Sequence, residues 1–192
     1  MRTYRRAISH RVNEPPLPCD TARLRFRWWR DTDADARLAF SLWGDPRVNG
    51  SLGRSLRGAS REQTDARLAL ELTHAAERGV QYWPVFKRCE EPSFVGVVGL
   101  RMHTDAQIEL GFHVRPECWR QGYATEAGVA VLDFSFGTMR YARIQAGHGA
   151  GNDASRRTIE RLGFRYTHVD LFEGEPDLTY ELSSKAWGHL RS

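Results

Sequence analysis

The sequence has few cysteines and no long apolar run. Its three cysteines, Cys19, Cys89 and Cys118, form no CxxC pair and none of the spacings that hold zinc. Its seven histidines form no HExxH or HxH cluster, so we predict no metal site. No apolar run approaches the roughly 18 residues of a membrane helix, and no apolar stretch follows Met1 as in a secretory signal. These absences favour a cytoplasmic protein with reduced thiols that does not enter a membrane.

Positive charge is concentrated at the N-terminal end. Residues 1–30 contain eight arginines against Glu14 and Asp20, although the net charge of the chain is only +4. An arginine-rich end is typical of a solvated tail and also of RNA contact. Because the first 20 residues lack interleaved aromatic residues beyond Tyr4, we favour the tail and do not expect nucleic acid binding. We predict that residues 1–20 form an arm rich in arginine and proline, and that residues 21–192 form a single domain.

Hydrophobic periodicity and turn residues predict elements in the order β-α-α-β-β-β-α-β-α-β-β. A capping box at Ser60 and Gln63 opens the second helix, and Gly79 ends it. This order indicates an α+β fold with a mixed, mostly antiparallel sheet flanked by helices. The predicted strands are residues 24–29, 81–87, 94–102, 108–114, 143–148, 165–172 and 178–182.

The stretch from Trp119 to Ala127 lies between a predicted strand and an apolar helix, Thr125 to Phe136. Free N–H groups and the helix dipole make the start of such a helix an anion site. Gly122 lets the backbone approach a ligand closely, and Arg120 adds a cation. The stretch therefore predicts a pyrophosphate site.

Six segments in this order resemble the GNAT superfamily of acyl-coenzyme A dependent N-acetyltransferases. The chain is most similar to the branch that includes ribosomal-protein N-terminal acetyltransferases. The resemblance extends from about Thr21 to Trp187. It is carried by residues 21–25, 96–100, 109–112, 119–127, 152 with 155, and 162–164.

The resemblance implies that acetyl-CoA is the cosubstrate. Trp119 stands where the family usually has glutamine or arginine, and Ile159 stands where many relatives have a tyrosine acid. The side chain of Asn152 would meet the pantetheine arm, and Ser155 would lie near the thioester sulfur. The residues that this assigns to acetyl-CoA binding are Phe112, Val114, Trp119, Arg120, Gln121, Gly122, Tyr123, Ala124, Thr125, Asn152 and Ser155.

The strand 108–114 carries the candidate catalytic residues. Alternation puts Glu109 and His113 on one face and the apolar side chains on the other, unless a bulge intervenes. Glu109 is our first candidate for the base, acting through water, and His113 is the second. Backbone N–H groups near Phe112 to Val114 would polarise the thioester carbonyl. Because position 159 is not a tyrosine, Ser155 is the remaining candidate to donate a hydroxyl proton to the departing thiolate.

The sequence does not identify the acceptor amine. A protein N-terminus, a small amine or antibiotic, and a non-catalytic coenzyme A-binding protein all fit, and so does a homodimer. The acidic turn with Glu173, Glu175 and Asp177 leads to the hypothesis that it attracts a cationic amine or a basic N-terminus. The glycines of residues 147–151 suggest a dinucleotide site, although their GxGxG spacing differs from GxGxxG.

Overall fold

The computed structural model describes residues 15–49, 59–104 and 106–191. Residues 1–14, which make up most of the predicted arm, lie outside the described residues. So does much of the segment from Trp43 to Ser60, which the resemblance assigns to the acceptor site.

The described residues form one seven-stranded sheet, in the order β1-β2-β3-β4-β5-β7-β6. β4 and β5 run parallel, and every other neighbouring pair runs antiparallel. The predicted mixed, mostly antiparallel sheet is therefore confirmed. The strands are β1 Leu24–Phe26, β2 Tyr82–Lys87, β3 Phe94–Thr104, β4 Gln107–Val114, β5 Arg143–Gly149, β6 Arg165–Phe172 and β7 Glu175–Ser183.

Helices cover both faces of the sheet. Ser60 and Gln63 form the predicted capping box, and Gly79 ends that helix in the left-handed conformation at φ 67°. The side chain of Thr32 caps the first helix by accepting from the N–H of Asp35. The α-helices are α1 Asp33–Trp43, α2 Pro46–Asn49, α3 Arg61–Arg78, α4 Tyr123–Asp133, α5 Asp153–Arg161 and α6 Ser184–Arg191.

The core has two parts, one on each face of the sheet. α4, α5 and α6 bury side chains such as Val131, Ile159 and Trp187 on one face. α1 and α3 bury Leu42, Trp43, Leu68 and others on the opposite face. The candidate catalytic strand β4 is thus held between two packed layers, which fixes its position.

The structure corrects the predicted bounds of β1, β7 and α4 and adds two helices. β1 ends at Phe26 instead of residue 29, because Trp29 turns into the α1–α3 layer, where its Nε1 donates to the carbonyl of Tyr82. The final turn is only Glu173 and Gly174, so Glu175 to Asp177 belong to β7. α4 ends at Asp133 and continues as a π-helical turn to residue 138. The helices α2 and α6 were not predicted from the sequence, since both are short, with four and eight residues.

None of the described helices is both long and apolar enough to cross a membrane.

Candidate active site

The two parallel strands of the sheet separate and open a cleft. β4 and β5 pair at Glu109 and Gln145 only, and β4 then continues to Val114 beside β3 alone. A cavity of about 500 Å³ lies at this opening. Backbone groups on the β5 side of β4 are left to bind a ligand, because a strand edge without a neighbour has unpaired N–H and C=O groups.

The predicted anion turn forms the start of α4. Gly122 lies just before the helix at φ 78°, and Arg120 also has a positive φ of 59°. The first backbone N–H to bond within the helix is that of Glu126, which donates to the carbonyl of Gly122. The N–H groups of Tyr123, Ala124 and Thr125 therefore start the helix without an intrahelical partner and have no side-chain cap. The predicted turn of free N–H groups is present.

Two further cations lie beside this turn. The guanidinium of Arg23 is 4.7 Å from the ring centroid of Tyr123, and Nζ of Lys87 is 5.5 Å from it. Arg23 also donates to the backbone carbonyl of Gln121 and pairs with Glu126. Although burial opposes its ionisation, hydrogen bonds from Thr21 and Arg23 hold the pKa of Glu126 below its ordinary value. Sequence reasoning missed Arg23 and Lys87 because they are distant from the loop along the chain.

Trp119 closes the end of β4. Its indole Nε1 donates to the carbonyl of Val114 at 2.6 Å, and its ring is 45% exposed. The side-chain amide of Gln121 donates to the carbonyl of Glu117, which holds the turn. Trp119 therefore secures the backbone and presents an aromatic surface where the family more often has a polar residue.

The faces of β4 are as predicted. The pairing of β3 with β4 is continuous from residue 108 to residue 114, so no bulge disturbs the alternation there. Glu109 and His113 line the cavity, whereas Ile108 and Leu110 are buried in the core. The backbone of Phe112 lies between the two candidate bases along the strand.

Glu109 has a partner that the sequence did not suggest. His103, on β3, places Nε2 2.6 Å from Oε2 of Glu109, and both residues line the cavity. This hydrogen bond raises the pKa of His103 above its ordinary value, against the opposing effect of burial. The carboxylate of Glu109 is therefore hydrogen-bonded to a histidine, whose charge depends on pH, instead of to an arginine.

His113 is held as a neutral ring. The indole Nε1 of Trp43 donates to its Nδ1 at 3.1 Å, which puts the ring proton on Nε2. Burial, together with the charges of Arg67 and Arg101, lowers the pKa of His113 well below its ordinary value. This geometry favours His113 as a hydrogen-bond donor and gives it no free lone pair for the role of base.

Tyr82, a buried residue of β2, also lines the cavity. A Cβ at position 111 would lie 2.2 Å from the Tyr82 hydroxyl oxygen, so only glycine fits there. Burial raises the pKa of Tyr82, which keeps the phenol protonated. Arg101 stacks on its ring at 4.7 Å. Tyr82 thus places a second hydroxyl at the cavity, in addition to that of Ser155. Gly111 is the feature of the sequence that could have indicated this, because a side chain there would collide with the ring.

The remaining wall of the cavity comes from the β5–α5 connection and the β6–β7 hairpin. The side-chain Oδ1 of Asn152 accepts from the N–H of Ser155 at 3.1 Å, so Asn152 caps α5 and Ser155 lies in its first turn. Both line the cavity. Ile159 is fully buried, so it supplies no group to the site. Glu175 and Asp177 of the acidic turn also line the cavity.

The glycine-rich segment before α5 is not a dinucleotide motif. A dinucleotide fold would place the strand after α5 parallel to β5. β6 instead pairs antiparallel with β7, which separates it from β5. Gly147 has a different use, because a Cβ there would lie 2.5 Å from Oδ2 of Asp177.

A family model described as an acetyltransferase (GNAT) domain matches residues 23–165. The chain belongs to the GNAT acetyltransferase family. The match covers the strands on both sides of the cleft, the turn before α4 and the cap of α5. The GNAT fold that the sequence resembled is therefore confirmed.

Relatives of the chain agree with this assignment. It is 30% identical over 112 residues to the uncharacterized N-acetyltransferase YoaA of Bacillus subtilis strain 168, covering 54% of this chain and 61% of YoaA. The chain spans little more than half the length of the curated relatives it matches first, which are both from that organism.

Solved structures share the fold across different acceptors. A spermidine N-acetyltransferase from Vibrio cholerae in complex with CoA and spermine superposes with a TM-score of 0.72 at 15% identity, covering 87% of this chain and 99% of that one. A candidate ribosomal-protein-serine acetyltransferase from Vibrio cholerae superposes with a TM-score of 0.67 at 22% identity, covering 89% and 99%. At these identities the likeness shows the fold and does not identify an acceptor.

Proposed function

We propose that this GNAT protein transfers the acetyl group of acetyl-CoA directly to an amine bound in the cavity between β4 and β5. The observation that carries the proposal is the separation of these strands after Glu109. It leaves a strand edge open between an anion-binding turn and a cluster of titratable side chains.

The residues present fit acetyl-CoA. The N–H groups of Tyr123, Ala124 and Thr125 would bind its pyrophosphate, with Arg120, Arg23 and Lys87 as cations. The side-chain amide of Asn152 and the backbone of Phe112 and Val114 would hold the pantetheine arm and the thioester. When bound, acetyl-CoA supplies an activated acetyl group. The residues assigned to acetyl-CoA are Phe112, Val114, Trp119, Arg120, Gln121, Gly122, Tyr123, Ala124, Thr125, Asn152 and Ser155.

Glu109 accepts the proton of the amine, through a water molecule, in this proposal. An α-amine with a pKa near 8 is about one-tenth neutral at pH 7, and a lysine amine is well under a thousandth neutral. A base therefore helps either acceptor, and a general base typically contributes about 10²–10⁴ in rate. The hydrogen bond from His103 fixes the carboxylate at the cavity wall.

The carbonyl and the departing sulfur need hydrogen-bond donors. Backbone N–H groups of β4 between Phe112 and Val114 supply the first in this proposal. Ser155 and Tyr82 supply hydroxyls for the thiolate. A thiol with a pKa near 8.5 needs only a modest donor, and the phenol of Tyr82 is kept protonated by burial.

The test is the release of free thiol from acetyl-CoA when amines are added. Glu109→Gln should lower kcat about 10²- to 10⁴-fold and leave the KM for acetyl-CoA nearly unchanged, because the carboxylate acts on the amine. Glu91→Gln, in the exposed turn before β3, is the matched control and should behave as the wild type. Equal kcat values for the two variants would remove Glu109 from the role of base.

A non-catalytic coenzyme A-binding protein is the second candidate. It is supported by Ile159, a buried apolar residue where many relatives have a catalytic tyrosine. Stabilisation by acetyl-CoA without thiol release over a broad panel of amines would favour this candidate.

A further inference from the structure

One arginine that lines the cavity, Arg67, forms no ion pair with the residues that the structure describes. The guanidinium of Arg67, on α3, stacks over the ring of Trp43 at 4.6 Å and lines the cavity. Its Nε is enclosed and has no hydrogen-bond partner, and no ion pair joins Arg67 to a carboxylate within the described ranges. Burial and the nearby charge of Arg101 lower its pKa, yet a guanidinium stays charged in proteins. A partly buried charge that has no ion-pair partner is unfavourable unless a bound ligand supplies the opposite charge.

The nearest buried carboxylate is already in use. Glu71 is fully buried, and its Oε1 pairs with Nη2 of Arg101. Its other oxygen accepts from the backbone N–H of Tyr82 at 2.8 Å. Glu71 therefore pairs directly with Arg101, and Arg67 is left with only the longer-range attraction of Glu71 and Glu109.

Two further carboxylates, Glu109 and Asp177, line the cavity. Asp177 points over Gly147 into the cavity, and burial, together with the charge of Glu109, raises its pKa. A positive charge added beside Asp177 would favour the ionised form of this carboxyl group. The cavity is thus lined by the cation of Arg67 and by the carboxylates of Glu109 and Asp177.

We infer that the acceptor is a small zwitterion, a primary amine that also carries a carboxylate, such as a free amino acid. Its carboxylate binds Arg67, whose planar fork suits an anion of that shape. Its amine lies between Glu109 and Asp177, next to the proposed base. A cavity of about 500 Å³ is in the range of small-molecule sites. The inference deepens the proposed acetyl transfer and depends on it for the identity of the reacting amine.

The experiment compares acceptors that differ only in the carboxylate. Thiol release from acetyl-CoA is measured with a set of amino acids, their carboxamides and the matching amines without the carboxyl group. In the wild type, kcat/KM should be about 10²-fold higher for the acid than for its amide. Arg67→Gln should remove that difference by lowering kcat/KM for the acids about 10²-fold, with the amides changed less than about threefold. Arg67→Lys should restore part of it, since charge returns without the fork.

The matched control is Arg61→Gln. Arg61 lies on the same helix and pairs with Asp65 on the exposed side, so the charge change is equal and the cavity is untouched. This variant should keep the full preference for acids. Equal kcat/KM for acids and amides in the wild type, or equal losses on both in Arg67→Gln, would overturn the inference while acetyl transfer itself stands.

Binding separates a failure of this inference from a failure of the proposed function. Calorimetric titration of the CoA-loaded protein with the same amino acids and amides needs no turnover. Binding of acids that is lost in Arg67→Gln and retained in Arg61→Gln supports the carboxylate site even when no thiol is released. Binding of amides as tight as that of acids overturns it. A peptide with an N-terminal acidic residue bound more tightly than free amino acids would also overturn the small-molecule acceptor.

Discussion

At the residue scale, the pairing of His103 with Glu109 decides when the proposed base is free. A protonated His103 donates to the carboxylate, and a carboxylate held in an ion pair is a weaker proton acceptor. The hydrogen bond raises the pKa of His103, so the pair persists above the pH at which a free histidine loses its proton. Its contribution to stability is fully present below that ordinary pKa and is lost as pH rises through the raised one.

Activity should therefore rise with pH as His103 loses its proton. We expect the kcat/KM for the acceptor to increase through a limb above the ordinary pKa of histidine, near 6.5. His103→Gln should abolish this limb and leave only the one set by the acceptor amine. The pH profile of kcat/KM is measured with two acceptors whose amines differ in pKa. The limb set by the amine is identified because it shifts with the acceptor. A limb that is unchanged in His103→Gln would show that another group controls the carboxylate.

At the element scale, the start of α4 combines a backbone conformation with a charge arrangement. Gly122 gives the positive φ, and the N–H groups that follow it point outward. Glu126 is bound by Thr21 and Arg23, which ties the turn to the strand β1. An anion placed at this turn would thus meet the helix dipole and the guanidinium of Arg23 together.

Gly122→Ala should weaken acetyl-CoA binding by about tenfold or more. The added Cβ meets no close atom, so the effect comes from the left-handed φ and from the obstructed approach of a phosphate. Gly79→Ala is the matched control, since Gly79 has a similar φ of 67° at the far end of α3. Both variants should lose about 1 kcal/mol of unfolding free energy.

Only Gly122→Ala should lose affinity, measured by titration with acetyl-CoA. Equal affinity in the two variants would place the pyrophosphate elsewhere. If the turn at Gly122 binds the pyrophosphate, the two variants should have equal unfolding free energies and different affinities for acetyl-CoA.

At the scale of the whole molecule, the sheet joins two packed halves that meet at β4 and β5. β1 to β4 lie on one side of this boundary and β5 to β7 on the other. The two strands are paired at one position, so the boundary is open toward the end of β4. A ligand that contacts α4, β4 and α5 would bridge the halves and should stabilise the fold as a unit.

Acetyl-CoA should accordingly raise the thermal unfolding temperature of the whole chain. At a concentration 100 times its Kd, the gain in unfolding free energy is about 2.7 kcal/mol. NAD at the same concentration should have no effect, because the strand after α5 is not parallel to β5. The measurement is a single unfolding transition with and without each compound. Protection by NAD and none by acetyl-CoA would contradict the assignment of the cleft.

The basic N-terminal end is partly neutralised by the fold. Arg23 and Arg27 pair with Glu126 and Asp35, two carboxylates that lie beyond residue 30. The excess charge counted along the sequence is thus reduced where these arginines pack on the domain. Arg2, Arg5, Arg6 and Arg11 lie outside the described residues, so the expectation that this end does not bind nucleic acid stays a prediction.

Local sequence determined the order of elements and the chemistry of single segments. The cap at Ser60, the turn at Gly122 and the alternation along β4 depend on neighbours within a few residues, and each was predicted. The GNAT fold followed because the segments occur in that family's order.

Only the tertiary structure decided which distant side chains meet at the cavity. His103 reaches Glu109 because the hairpin of β3 and β4 brings two strand positions together. Arg67 and Tyr82 reach the cavity from α3 and β2, and Arg23 reaches the start of α4 from β1. These contacts depend on sheet register and layer packing, which join residues far apart in the chain and leave little trace in any single segment.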